Sequence, residues 1–384
     1  MDRREIQSLH PMLLPAETGD YARELFWDSL TMYLESEVRP GLRKVYEQDV
    51  QPALRQALGR EPDRKEIAAA TRQHEAGRWW YLQRTESQRE GSAATRDVIE
   101  RQLPQLIERA KASSNGPGSL TLNPELVLPS YLDVDIHLQK GGYYGSGDSR
   151  ETLLNGAVYE RGMTLGRMGA QGWLNDDAGL SLAAWIKETY PGLKPKRILE
   201  MGCTIGHTLT AFKQAFPDAE VHGIDVAAPP LRYGFARAAS MGVDVHFSQQ
   251  NAERTNFAEA SFDLVFSRIL LHETSAEAVP RIFAECHRLL RPGGLMIHSD
   301  APQFDELDPY AQSLRDWDAT VNNEPFMEGY YSMALEPAFI AAGFAADRTF
   351  RAKPVSRRLV EAGIDASRSR TTGGRYFLAG AVKA

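Results

Sequence analysis

Cysteine is scarce in this 384-residue sequence, long apolar runs are missing, and basic residues are not in excess. Cys203 and Cys286 are too few for a disulfide framework or a four-cysteine metal site, so we expect both to be reduced and buried. Without a run of about 18 apolar residues or an apolar signal region, the sequence predicts a cytoplasmic protein with no membrane partner. Acidic residues outnumber basic ones by 51 to 44, and a net charge of -7 does not favour nucleic-acid binding through counterion release. A small or neutral partner is therefore expected.

The apolar residues that are present, 42% of the chain, are enough for a sizeable core, and the length suggests about two or three domains. Between residues 20 and 112, apolar residues recur at intervals of three and four, which predicts about four amphipathic helices. We expect breaks at Pro40-Gly41, at Gly59 to Pro62 and at Gly91-Ser92, which precedes the fourth helical segment. The glycine- and serine-rich stretch 113–119 predicts the first domain boundary.

The aromatic cluster Trp79-Trp80-Tyr81 lies in this helical region. Exposed aromatic rings can stack on the bases of single-stranded nucleic acid. Arg and Glu alternate around the cluster, however, which is typical of a solvated helix face, so we favour rings packed inside a helical lid or at a dimer interface. The sequence thus predicts no nucleic-acid partner and allows a homodimer through the N-terminal helices.

From Lys196 onward, short apolar runs alternate with helical patterns, which predicts a doubly wound α/β sheet. The expected strands are Ile198 to Met201, Val221 to Ile224, Val243 to Phe247, Phe262 to Phe266 and Leu295 to Ser299. Ligands of such sheets bind at the carboxyl ends of the strands, where the strand order reverses. The residues that directly follow each strand are therefore the functional candidates.

Two of these strand ends carry residues suited to a nucleoside-like ligand. Gly202 and Gly206 follow the first strand, and small residues there let the backbone approach a ligand at a helix N-terminus. Asp225 ends the next strand about 20 residues later, where a carboxylate can accept both hydroxyls of a ribose. Thr204 stands at the middle glycine position of the dinucleotide pattern, which argues against a cradle for a pyrophosphate.

These motifs strongly resemble those of the class I S-adenosylmethionine-dependent methyltransferases. Glu200, Gly202 and Gly206 match the first motif of that family, and Asp225 matches its ribose-binding acid. The segment from Arg291 to Leu295 is similar to the family's turn into the fifth strand. The resemblance extends over about residues 196–300 by motif and to the C-terminus by pattern.

The fold that this resemblance implies is a doubly wound, seven-stranded, Rossmann-like methyltransferase sheet with an N-terminal all-helical domain. Gly343-Phe344 would lie in the sixth strand and residues 375–382 in the antiparallel seventh. The chain would divide into a helical lid or dimerisation domain (1–115), a pre-core linker and cofactor-covering segment (116–190) and a methyltransferase domain (191–384).

The resemblance also implies S-adenosyl-L-methionine as the cofactor, with the first-motif loop around its methionine portion and Asn251 beside the adenine amino group. Tyr143 and Tyr144 can bond the cofactor carboxylate, form an aromatic wall near the sulfonium, or pack as ordinary connector residues. A Cβ at Thr204 narrows the loop, so weak binding, a shifted pose or a hydroxyl contact is expected. The implied cofactor-binding residues are Glu200, Gly202, Cys203, Thr204, Gly206, Asp225, Val226, Asn251, Ala252, Ser267, Tyr143 and Tyr144.

On the acceptor side, methyl transfer from a sulfonium needs alignment of the acceptor and exclusion of water. The catalytic candidates are His272, a possible base because imidazole titrates near neutral pH, Glu273, which can orient it or a cationic acceptor, and His137. Each histidine can instead be a packing residue. His298 and Asp300 also face the pocket if the strand register holds. No metal is expected, because only His272-Glu273 has a ligand-like spacing.

The expected function is methyl transfer to a small-molecule metabolite or natural product, with the acceptor atom open among O, N, S and C. The insertion from Asp305 to Tyr331, rich in aromatic and amide side chains, would form part of the acceptor lid. Two alternatives remain: a protein or peptide methyltransferase, and a cofactor-binding protein of this fold that does not transfer methyl groups.

Overall fold

The computed structural model describes residues 9–147, 151–166, 171–365 and 374–384. Its N-terminal part is helical. Helices α1 (Thr18–Tyr33), α2 (Arg39–Val45) and α3 (Gln51–Leu58) are joined by π-helical turns into one continuous rod, which ends at Gly59 with a φ angle of 67°. Helices α4 (Arg64–Gln73), α5 (Glu75–Arg101) and α6 (Leu103–Ser113) follow.

Residues 18–113 therefore form four helical rods, as the periodicity predicts, but two of the expected breaks are wrong. The rod continues through Pro40 because the proline lies in the first turn of α2, directly after a π-helical turn, where a missing N–H is tolerated. Helix α5 continues through Gly91, although glycine costs about 1 kcal/mol in a helix. Burial of Ala94, Val98 and Ile99 beyond that glycine outweighs its low propensity.

The described residues form one eight-stranded sheet with the order β1-β4-β3-β2-β5-β6-β8-β7. Pairing is parallel except that β8 runs antiparallel to both β6 and β7. The order reverses beside β2, so the carboxyl ends of β2, β3 and β5 are the expected ligand site. The strands are β1 (Ser119–Thr121), β2 (Arg197–Met201), β3 (Glu220–Asp225), β4 (His246–Gln249), β5 (Phe262–Arg268), β6 (Leu290–Asp300), β7 (Thr349–Ala352) and β8 (Phe377–Val382).

This α/β architecture agrees with the expected fold, with one strand more than the seven predicted. The additional strand, β1, comes from the segment interpreted as a linker, and it pairs with β4 at the sheet edge. The strand that was expected at Gly343-Phe344 lies instead at Thr349–Ala352, where it forms β7. That expectation is wrong because Gly343, with a φ angle of 108°, ends a helix, and Phe344 packs in the core beside it.

Helices cover both faces of the sheet. One apolar cluster contains Leu199, Val265 and Met296, and a second contains Ile198, Leu264 and Leu295, which are the adjacent residues of the same strands. Side chains that alternate along a strand point to opposite faces, so each face has its own core. The remaining helices are α7 (Leu154–Gly166), α8 (Asp177–Thr189), α9 (His207–Ala215), α10 (Ala228–Ser240), α11 (Ala278–Leu289), α12 (Pro309–Val321), α13 (Met327–Tyr331), α14 (Leu335–Ala341) and α15 (Arg357–Glu361).

Helix α12, part of the predicted insertion, joins the sheet to the helical region. The ring of Trp317 stacks on Trp80 with centroids 5.0 Å apart, and Tyr310 stacks on Tyr46 at 4.7 Å. Trp80 is therefore a packing residue, whereas neighbouring Trp79 is 48% exposed.

Both cysteines are free and buried, as expected. Among the described residues, no helix combines the length and apolarity that crossing a membrane requires.

Candidate active site

The loop that follows β2 forms a tight cradle at the carboxyl end of the sheet. Gly202, Thr204 and Gly206 have φ angles of 69°, 50° and 70°. A Cβ on Gly202 would lie 2.6 Å from the Leu270 side chain, and one on Gly206 would lie 2.6 Å from the Phe247 ring. Glycine is therefore required at both positions. Thr204 adopts the left-handed conformation although a β-branched residue is strained there.

Asp225, at the end of β3, holds this loop in place. Its Oδ2 accepts the backbone N–H of Thr204 at 2.9 Å, and its Oδ1 accepts that of Ala227 at 2.9 Å. Burial raises the pKa of Asp225, and these amide donors oppose the rise. The carboxylate lines a large cavity, where its remaining lone pairs can accept hydroxyl groups of a ligand.

Glu200, at the end of β2, contributes a second carboxyl to the cavity wall. The side chain is buried, and its Oε2 has no hydrogen-bond partner within the part of the chain that the structure describes. Burial raises the pKa of Glu200 well above its ordinary value. An unpartnered polar atom of this kind is costly and is suited to a polar ligand group.

The loop after β4 completes the cradle. Asn251 and Ala252 in this loop line the same cavity, and so does Val226, which directly follows β3. The Asn251 Oδ1 accepts the backbone N–H of Glu253 at 2.8 Å, which fixes the orientation of the amide. Cys203 and Tyr144 also line the cavity.

Ser267 and Gly206, two of the predicted cofactor-binding residues, are not among the residues that line the cavity. The Ser267 hydroxyl is buried and lies 2.7 Å from Nδ1 of His298, and neither residue is among those that line the cavity. Burial lowers the pKa of His298 to about 4, against the opposing charge of Asp300. Gly206 shapes the turn by donating its N–H to the Cys203 carbonyl at 2.8 Å. The structure thus does not place the side chains of Ser267 and His298 with the other candidates.

His272 lies in a short 3-10 turn after β5. Asp300, at the end of β6, fixes the orientation of its ring. Its Nδ1 lies 2.5 Å from Asp300 Oδ1, and Asp300 Oδ2 accepts the backbone N–H of Leu271 at 3.0 Å. Burial opposes protonation, but the charge and hydrogen bond of Asp300, with help from Glu273 and Glu324, raise the pKa of His272 to about 10. The surroundings of His272 thus place its pKa above the near-neutral range of an ordinary imidazole.

Two glutamates face the other nitrogen of His272. Its Nε2 lies 3.6 Å from Glu324 Oε2 and 3.8 Å from Glu273 Oε1. His137 lies between these carboxylates, with Nε2 3.3 Å from Glu273 Oε1 and Nδ1 3.3 Å from Glu324 Oε1. The Tyr143 hydroxyl donates to Glu273 Oε1 at 3.3 Å. We call these five residues the acceptor cluster.

Charges in the acceptor cluster balance one another. Burial raises the pKa of Glu324, against the charge of His137. Burial also acts to raise the pKa of Glu273, but the hydrogen bond and charge of His137 lower it below its usual value. Burial acts to lower the pKa of His137, and Glu273 outweighs it and raises that pKa. The cluster is therefore an electrostatically coupled network, in which buried imidazoles and carboxylates shift one another's pKa.

The insertion before α13 holds His137 in an unusual backbone conformation. His137 and Leu138 have φ angles of 57° and 58°. The backbone N–H of His137 donates to the Asn322 carbonyl at 2.7 Å, and the Asn323 side chain donates to the Asp135 carbonyl at 2.9 Å. Strained backbone of this kind persists where the surroundings determine it and is frequent at functional sites.

The cradle and the acceptor cluster line one cavity of about 900 Å³. Met32, Glu35 and Gln88 of the N-terminal helices line it as well, and so does Tyr331, whose ring stacks on His272. The helical region therefore covers the site. Pockets for small ligands have volumes of roughly 300–1,000 Å³.

Sequence reasoning identified most of these residues but missed Glu324. His272, Glu273 and His137 come together as proposed, whereas Tyr143 contacts Glu273 instead of the cradle. The one signal for Glu324 was its place in the insertion interpreted as a lid; nothing in its spacing links it to His272.

Comparisons with known proteins find a methyltransferase domain in this chain. Residues 198–294 match the family model described as a methyltransferase domain. The chain is 35% identical over 127 residues to a malonyl-[acyl-carrier protein] O-methyltransferase of Methylococcus capsulatus, covering 33% of this chain and 44% of the relative. It is 31% identical over 108 residues to a demethylmenaquinone methyltransferase of Thermus thermophilus, covering 28% of this chain and 48% of the relative.

The chain thus spans less than half the length of each of these two relatives. Among solved structures, it resembles a phosphoethanolamine N-methyltransferase 2 of Haemonchus contortus in complex with S-adenosyl-L-methionine, with 16% identity, a TM-score of 0.37 and coverage of 53% of this chain and 52% of that chain.

Proposed function

We propose that the chain transfers a methyl group from S-adenosylmethionine to a small organic acceptor beneath its N-terminal helices, because residues 198–294 match a methyltransferase domain. The observation that carries this proposal is the single cavity that joins the cradle at the ends of β2 and β3 to the acceptor cluster. A covered cavity of this size favours a small metabolite over a protein segment or a nucleic acid.

The residues of the cradle fit the cofactor. The unpartnered carboxyl oxygen of Glu200 and the carboxylate of Asp225 present buried acceptors, and the required glycine at 202 keeps the loop close to the strand ends. Asp225 would hold the ribose hydroxyls, Glu200 and the loop the methionine portion, and Asn251 the adenine. When bound, S-adenosylmethionine supplies a methyl group activated by a positive sulfur.

The acceptor cluster suits an acceptor with a hydroxyl or amino group. Glu273 and Glu324 present carboxylate oxygens to the cavity, where they can accept a hydrogen bond from such a group and orient its lone pair toward the cradle. Asp300 fixes the His272 ring, and Tyr331 packs against it. The N-terminal helices that line the cavity would limit the access of water to the site.

Calorimetric titration with S-adenosylmethionine and S-adenosylhomocysteine tests the cofactor site. We expect binding to the wild type and a loss of about 100-fold in Asp225→Ala, because hydrogen bonds to a charged acceptor are removed. Asp244→Ala, at an exposed carboxylate that precedes β4, is the matched control and should bind like the wild type. A folded wild type that binds neither compound would overturn the proposal.

Labelled methyl donor, supplied to a cell extract with the protein, tests the size of the acceptor. We expect label in the fraction below about 1 kDa, as the cavity volume requires. Label that remains with the protein fraction would instead support a protein or peptide acceptor.

A further inference from the structure

We propose that His272, Glu273 and Glu324 form an open site for one divalent transition-metal ion. Such a site can bind an oxygen atom of the acceptor, and this second statement rests on the proposed function. The three side chains are buried, and each offers one ligand atom, with the three atoms within 4.8 Å of one another. His272 and Glu273 are consecutive, whereas Glu324 reaches them from the insertion.

The distances are close to those of a metal centre. Ligand atoms about 2.0–2.2 Å from one ion are separated by about 3–3.5 Å from one another in tetrahedral or octahedral geometry. The His272 Nε2 lies 3.6 Å from Glu324 Oε2 and 3.8 Å from Glu273 Oε1, which is beyond hydrogen-bond reach. All three atoms lie within 4.8 Å of one another, so rotation of the two carboxylates would have to shorten these separations to bring the atoms to one ion.

Unsatisfied oxygens in the same place point independently to a ligand. Glu324 is 3% exposed, and its Oε2 has no hydrogen-bond partner in the described part of the chain. The same holds for Glu273 Oε2 within those residues. Buried carboxylate oxygens without donors are costly, and a cation bound through either oxygen of each carboxylate would stabilise both groups.

Asp300 provides the outer contact that histidine ligands need. Metal-binding histidines usually donate their second ring nitrogen to a carboxylate, which fixes the tautomer and orients the ring. The hydrogen bond between His272 Nδ1 and Asp300 Oδ1 has this geometry. It directs the other ring nitrogen, Nε2, toward Glu273 and Glu324. Asp300 is thus a positioning residue for the site.

The donor set selects the class of ion. Magnesium and calcium prefer all-oxygen sites, whereas one imidazole with two carboxylates suits manganese, iron, cobalt or zinc. Three protein ligands leave positions open, which is typical of catalytic rather than structural sites. Because the three residues line the cavity, a hydroxyl, carboxylate or water oxygen can occupy those positions.

The experiment titrates the full chain, stripped with EDTA, with Co²⁺ and with Zn²⁺ and records calorimetric heat and the visible absorption of Co²⁺. We expect one equivalent to bind. Glu324→Ala should weaken binding by at least about 10-fold, and Asp300→Asn, which keeps the ligands but disturbs their orientation, by about 10–100-fold. Glu306→Gln is the matched control, because this cavity glutamate pairs with Arg351 and Lys353 outside the cluster.

The outcomes separate this proposal from the methyltransferase activity. S-adenosylmethionine titration of each variant shows whether the fold and the cradle are intact. A wild type that binds S-adenosylmethionine but neither metal overturns the metal site alone. Equal metal binding by the wild type and Glu324→Ala also overturns it, since the ion would then bind elsewhere. Metal binding without cofactor binding overturns the proposed function and leaves the metal site standing.

Discussion

Thr204 combines strain and function at a single position. Its φ angle of 50° belongs to the region that glycine prefers, and its backbone N–H donates to Asp225. The sequence shows that a glycine is missing from the motif, and the structure shows that the loop keeps the glycine-like conformation anyway. The threonine therefore strains the loop at this position.

We expect Thr204→Gly to raise the free energy of unfolding by about 1 kcal/mol, because it removes the strain of a Cβ at positive φ. Thr204→Ala keeps that Cβ and serves as the control, with no comparable gain. Urea unfolding of the two variants measures the difference. A Thr204→Gly protein less stable than Thr204→Ala would contradict the strain argument.

At the scale of elements, α12 connects the sheet to its helical cover. Trp317 is buried against Trp80, and its indole N–H donates to the Ala68 carbonyl at 3.2 Å. The sequences of α12 and α5 do not predict that these helices pack together. Amphipathic periodicity indicates which face of a helix is buried but not which element covers that face.

Trp317→Ala should destabilise the protein by about 3–5 kcal/mol, as expected for a large side chain removed from a core. Trp79→Ala, at the exposed neighbour of Trp80, should change stability by no more than about 0.5 kcal/mol. Thermal unfolding of both variants compares them under identical conditions. Similar losses of stability in the two variants would mean that the stacking of Trp317 on Trp80 does not stabilise the contact between α12 and the N-terminal helices.

At the scale of the whole molecule, a buried ionic network joins the N-terminal segment to the α/β domain. The Glu160 carboxylate, on α7, accepts bonds from Arg237 at 2.5 Å and Tyr233 at 2.5 Å, both on α10, and lies 3.1 Å from His10. Burial acts to raise the pKa of Glu160, but the charge of Arg237, together with His10 and Tyr233, holds it far below its ordinary value.

This network predicts loss of stability in acid. A carboxyl whose pKa is lowered by folding stabilises the protein above its unfolded pKa, near 4.5, and this contribution is lost as the pH falls toward the folded pKa. Glu160→Gln should cost about 3–5 kcal/mol at pH 7, because Arg237 stays buried and unpaired, and should flatten the acid dependence. Glu108→Gln, at an exposed ion pair, is the control in urea titrations between pH 3 and 7. An acid dependence unchanged by Glu160→Gln would refute this assignment.

The homodimer through the N-terminal helices stays a prediction at this scale. Light scattering of the purified chain measures the mass directly, and a mass near 43 kDa would exclude it.

The sequence by itself determined the sheet, the cradle and most of the candidate residues. These depend on local signals: alternating apolar runs, glycines required by a turn, and an acid at a strand end, all within a few residues of one another. Asp225 and His272 could therefore be named in advance. The strand at Ser119–Thr121 could not, because three residues carry too little pattern and pair with β4 more than 120 positions later.

Only the tertiary structure decided the chemistry of the acceptor side. His137, Glu273 and Glu324 are far apart in the chain and share no sequence period. They meet because the insertion folds back over the strand ends and fixes the loop at His137. The pKa of His272 depends in the same way on Asp300, which lies one strand away. Charge interactions act through space at a few ångströms, so residues distant in sequence set them, and no local pattern records them.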